Sequence, residues 1–165
     1  MAADHSFDIV SKVNMQELRN ALQQAEKEIA TRFDFRGSSA SVAFDESSGI
    51  LKVTGDHQAQ LRSVVDVVET KMGKRGVPMQ ALAWKDAEAL PSGTMKQQAT
   101  LQQGLSSEKA KEITKLIKDL GVKAQPRIDG DAVRVSAKQI DDLQAIMQSL
   151  KGKNLGVPLQ FENYR

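Results

Sequence analysis

Gly76-Val77-Pro78 and Gly156-Val157-Pro158 are the same phrase, and each stands between a helix-patterned segment and a last strand-patterned one. Working outward from the first copy, Leu61, Val64, Val65, Val68 and Met72 form a helical stripe that Gly73 and Gly76 stop and Pro78 keeps from resuming. Met79–Trp84 follows as a strand. Around the second copy the stripe is Leu143, Ile146, Met147 and Leu150, and the strand is Leu159–Tyr164. Ahead of each stripe lies a hairpin. Ser39–Asp45 and Ile50–Thr54 flank the turn Ser47-Ser48-Gly49, and Val122–Ile128 and Ala132–Ser136 flank Asp129-Gly130. Ahead of each hairpin lies another helix. One is opened by Asn14, with Glu17 as capping-box partner, and striped by Leu18, Leu22, Ala25 and Ile29. The other is opened by Ser106 or Ser107 and striped by Ala110, Ile113, Leu116, Ile117 and Leu120. Phe7–Val13 and Gln97–Gln103 complete the pattern as opening strands. The chain therefore reads strand, helix, strand, strand, helix, strand, twice.

This order predicts an α+β protein of two tandem βαββαβ domains, each a four-stranded antiparallel sheet with two helices on one face. The boundaries fall at 1–84 and 97–165. Residues 85–96, with Asp86, Glu88, Pro91, Ser92 and Gly93, read as a linker.

Composition narrows the function classes. There is no cysteine, which excludes disulfides and thiolate chemistry. Met1-Ala2-Ala3-Asp4-His5-Ser6 has neither a basic start nor an apolar run, and no stretch has the length of a membrane span. A soluble, cytoplasmic protein is expected. The formal charge of +2 is too small to mark a nucleic-acid footprint by itself. His5, placed in a loose N-terminal end, and His57, near a helix start, are far apart, so no metal site and no hydrolytic centre is expected. No phosphate-binding glycine motif is present. Asp141 and Asp142 suit the first turn of a helix without a catalytic role. No enzyme and no cofactor is expected.

The sheet face away from the helices is where a partner would bind. In the second half, alternation turns Lys123, Gln125, Arg127, Arg134 and Ser136 outward, giving a basic corner at Lys123, Arg127 and Arg134. Arginine forks and lysines of this kind hold phosphate. An ordinary solvated face accounts for the same alternation. In the first half the outward set includes Val10, Ala43 and Ile50 beside Asp8, Lys12 and Lys52, which points to contact with the other domain. The third strands, Ile50–Thr54 and Ala132–Ser136, carry no aromatic residue for base stacking. The phrase Arg32-Phe33-Asp34-Phe35-Arg36 has two readings. It is a clasp on a helix end with a local Asp34–arginine pair, or a binding edge where an arginine meets phosphate and a ring meets a base.

Phe7-Asp8-Ile9-Val10-Ser11, Ala30 to Arg36, Gln103-Gly104-Leu105, Val133-Arg134-Val135-Ser136, Asp141-Asp142-Leu143-Gln144 and the ending Gln160-Phe161-Glu162-Asn163-Tyr164-Arg165 together resemble the YajQ family of bacterial nucleotide-binding proteins. The resemblance runs from end to end. It implies two ferredoxin-like domains, which the repeat matches, with an exchange of their N-terminal strands left open. It also implies binding of a nucleotide, of cyclic di-GMP or of transfer RNA in a regulatory role, without catalytic residues. Two segments depart from the family pattern. Ala137-Lys138-Gln139-Ile140 has lost a glycine and a basic charge, and the residue before the Gln-Gly phrase is no longer lysine. The expected nucleotide contacts are Arg32, Phe33, Phe35, Arg36, Lys123, Arg127, Arg134 and Lys138. The alternative is a protein-interaction module in which nucleotide binding is weak or lost, with a regulatory protein as partner.

Overall fold

The computed structural model describes residues 4–153 and 155–165, so the reading of Met1-Ala2-Ala3 lies outside the described residues. The strands are β1 (His5–Val10), β2 (Ser41–Asp45), β3 (Ile50–Gly55), β4 (Leu82–Trp84), β5 (Glu88–Ala89), β6 (Met95–Leu101), β7 (Gln125–Asp129), β8 (Ala132–Ala137) and β9 (Gln160–Glu162). The helices are α1 (Met15–Thr31), α2 (Gln58–Lys74), α3 (Ser107–Asp119) and α4 (Ile140–Lys151). The four helices and the hairpins stand where the sequence pattern puts them. Asn14 caps α1 by accepting from the Glu17 backbone N–H, and Ser106 caps α3 by accepting from that of Lys109. The cap of α2 is His57, whose Nδ1 accepts from the Gln60 backbone N–H at 3.2 Å, while the neighbouring Asp56 accepts from both the N–H and the hydroxyl of Ser39. His57 thus has a structural task. His5 belongs to β1, not to a loose end.

Two antiparallel sheets form. One has the order β7-β8-β1-β9, and the other β2-β3-β6-β4, with the short β5 also beside β6. Each order is compatible with a ferredoxin-like unit only if β1 and β6 trade places. β1 serves as first strand for the later half of the chain, and β6 as first strand for the earlier half. The compact units are accordingly residues 1–12 with 103–165, and residues 13–102. The division at 85–96 is not what the structure has. Those residues return the chain into the sheet they were expected to leave. The Lys85 backbone N–H donates to the Gln98 carbonyl, β5 pairs with Met95 and Lys96, and a turn at Gly93 closes through Leu90 N–H to Thr94 O.

Each unit has its own core. In the unit 13–102, α1 and α2 bury Leu18, Leu22, Ile29, Leu61, Val64, Val68 and Met72 against Leu51, Val53 and Ala99 of the sheet. In the other, α3 and α4 bury Ile113, Ile117, Leu143, Ile146 and Leu150 against Phe7, Ile9, Val133 and Val135. A leucine or isoleucine fully buried in this way stabilises by roughly 1.5–3 kcal/mol. Burial of Phe7 and Ile9 is thus what holds β1 on the sheet it joins. Phe7 also packs edge-on to Phe161, with ring centroids 5.6 Å apart, and stacks on Tyr164 at 5.9 Å.

Candidate nucleotide-phosphate site

The turn Asp129-Gly130, with Gly130 at φ 62°, fixes the register of the β7–β8 hairpin. Gln125 stands opposite Ser136, and Arg127 opposite Arg134. Val133 and Val135 face the core, so Arg134 and Ser136 face the open side. The same row continues across the sheet: Arg134 is opposite Asp8, and Asp8 opposite Glu162. The two arginines of the hairpin thus lie beside two carboxylates on the neighbouring strands.

Arg134 is already engaged. Its Nε donates to Asp8 Oδ1 at 2.9 Å and its second nitrogen to Oδ2 at 3.3 Å. Asn163 Nδ2 donates to the same Oδ2 at 2.9 Å. Asp8 is only 8% exposed. The hydrogen bond from Arg134 holds its carboxyl below the ordinary 3.8, desolvation acts in the opposite direction, and Asn163 and the charges of Arg134 and Arg165 lower it further. Arg127 has no side-chain partner among the described residues, and a like charge stands directly across from it. The charge of Arg134 is met by Asp8, which leaves Arg127 as the cation of the pair without a side-chain partner among the described residues.

At the end of the same hairpin, where β8 runs into α4, a hollow of about 580 Å³ is lined by Lys123, Gln125, Ser136 and Lys138, with Asp4 and Asp142 on its wall. Lys123 and Lys138, fifteen positions apart, come together here, and neither has a side-chain partner among the described residues. The helix behind them, α4, has Gln139 at its N-cap position without a side-chain hydrogen bond, and Asp141 and Asp142 fall in its first turn. Asp142 also lines the hollow, so the two lysines face two carboxylates across it.

The other expected contacts lie in the unit 13–102. Arg32 ends α1, holds Asp34 with two hydrogen bonds of 2.8 Å, reaches Glu28 at 3.4 Å, and lies 4.8 Å over the Phe35 ring. This is the clasp reading. Phe35 is buried in the core, so its ring is not open to a base. Phe33 is 85% exposed, and the Arg36 side chain is unpaired among the described residues. Of the eight residues, then, Lys123 and Lys138 share one hollow, Arg127 and Arg134 share one row, and Arg32, Phe33, Phe35 and Arg36 share one turn.

Asp8, Asn163 and Glu162 were not foreseen at the site. The signal for Asp8 is a carboxylate between Phe7 and Ile9, two core positions of a strand. Among the described residues no helix is long and apolar enough to cross a membrane.

A family model described as nucleotide-binding protein YajQ-like matches residues 5–165. A nucleotide-binding protein of Desulforamulus reducens is 46% identical, over 100% of this chain and 99% of its own. One from Desulfitobacterium hafniense (strain DSM 10664 / DCB-2) is 47% identical over 100% of both chains, and one from Geotalea uraniireducens 45% over 97% and 98%.

Proposed function

The chain belongs to the YajQ-like family, and on that premise we propose that it is a non-enzymatic nucleotide-binding protein that holds phosphate through Lys123, Lys138 and Arg127. The observation that carries this reading is the meeting of two unpartnered lysines in one hollow, beside a hairpin row that leaves Arg127 facing another arginine. The volume suits a mononucleotide-sized ligand, since small-molecule sites run to roughly 300–1,000 Å³. Among the described residues no aromatic one lines the hollow, so phosphate contacts and not base stacking supply the affinity. The ligand is a nucleotide, cyclic di-GMP or transfer RNA, and its binding is regulatory.

Calorimetric titration with GTP, cyclic di-GMP and a transfer RNA at two salt concentrations tests this. Phosphate-led binding weakens steeply as salt rises, because each neutralised phosphate releases counterions. Binding insensitive to salt, or nucleotide hydrolysis by highly purified protein, overturns the reading. One observation favours a second reading, a protein-interaction module: Phe33 is almost wholly exposed on a turn that Arg32 and Asp34 fix rigidly. Loss of a protein partner on Phe33→Ala, with no nucleotide bound by the parent, would select it.

A further inference from the structure

Sheet edges offer rows of unpaired backbone groups, and natural proteins shield them with proline, charge or brevity. Three of the four edge strands here are shielded. β7 carries Pro126 and Arg127, β9 is three residues long and follows Pro158, and β4 is three residues long with β5 beyond it on the same neighbour. β2 is different. It is five residues long, Ser41-Val42-Ala43-Phe44-Asp45, with no proline and no basic residue. Its one charge, Asp45, turns back onto its own turn, accepting from the Ser47 hydroxyl at 2.7 Å and the Ser47 backbone N–H at 3.1 Å. Among the described residues no strand pairs with its outer side.

The sequence of β2 is complementary to itself read backwards. Antiparallel pairing of two copies centred on Ala43 sets Ala43 against Ala43, Val42 against Phe44 and Ser41 against Asp45. Val42 and Phe44 lie on the core side, where aromatic and β-branched neighbours pair well. Parallel pairing in register instead opposes Asp45 to Asp45. We propose that β2 is a homodimer edge: a second copy of this chain adds to it across a two-fold axis through Ala43. Such an isologous contact uses one patch on both copies. Five residue pairs bury less than the roughly 1,200 Å² of a standard interface, so the dimer is weak and concentration-dependent. This inference is independent of the nucleotide reading.

The protein has no cysteine, so single introduced cysteines report directly on register. Directly opposed residues of an antiparallel pair have Cα atoms about 4.5–5.5 Å apart, within disulfide reach. Ala43 and Ser41 are both exposed, so neither change touches the core. Under mild oxidation of the full chain at several hundred micromolar, Ala43→Cys forms a covalent dimer and Ser41→Cys does not, while the double variant Ser41→Cys/Asp45→Cys does. Ala43→Lys and Ala43→Glu each sediment as monomers, and an equimolar mixture restores the dimer. Equal crosslinking of Ala43→Cys and Ser41→Cys, no crosslinking of Ala43→Cys, or a parent that sediments as a monomer throughout that range overturns the proposal.

Discussion

Arg134 shows how one residue can look like a ligand contact and serve another purpose. It faces the open side of the sheet as the alternation requires, but its fork is closed on Asp8. Asp8→Ala leaves a partly buried guanidinium without its carboxylate, opposite Arg127, and is expected to cost about 1–3 kcal/mol in urea unfolding. The sign of the pH dependence follows. The Asp8 carboxyl is held below 3.8 in the folded state, so its contribution is complete above that ordinary value and is lost as pH falls through the lowered one. The parent loses stability across that acid window, and Asp8→Asn, measured in parallel, loses less. Lys123 and Lys138 divide the other way, with no structural bond to lose. Lys123→Ala with Lys138→Ala should weaken nucleotide binding, reduce the salt slope by up to about 2 and leave the melting temperature nearly unchanged. Arg32→Ala removes an exposed ion pair worth about 1 kcal/mol at most and should leave nucleotide titrations as they were.

Elements were legible where their signals are local. Caps, stripes and the two hairpins follow from residues a few positions apart, and so does the opposition of Arg127 and Arg134 once Asp129-Gly130 fixes the turn. What alternation cannot carry is the identity of the neighbouring sheet. Phe7 and Ile9 ask for an apolar face, and both halves of the chain offer one of the same shape. The same blindness hid Asp8 from Arg134, which lies 126 positions away. One element boundary is tight enough to test. A methyl group on Gly55, where β3 meets α2, would come 2.7 Å from the Leu61 backbone nitrogen. Backbone cannot yield as a side-chain end can, so Gly55→Ala should destabilise the unit 13–102 by about 1–3 kcal/mol. Hydrogen exchange should locate that loss in β3 and α2.

At the scale of the whole molecule, the trade of β1 for β6 decides which fragments are complete. Residues 13–102 contain four strands of one sheet, both of its helices and the return strand. That fragment should fold cooperatively on its own, with circular dichroism and dispersed amide resonances as the readout. Residues 97–165 lack β1, and with it the Phe7 and Ile9 that fill their core. They should remain without a fixed core until a peptide covering residues 4–12 is supplied.

The same trade sets an order of events during synthesis. β1 leaves the ribosome well before its partners β8 and β9. Residues 13–102 can close as a unit while β1 trails from it with Phe7, Ile9 and Val10 in water. Contacts so distant along the chain are slow to form, because the intervening loop must be closed before they give any return. A nascent chain therefore carries an exposed, strand-forming segment for most of its translation, and a neighbouring nascent chain on the same message can capture it. The last folding step is the insertion of β1 between two strands made long after it.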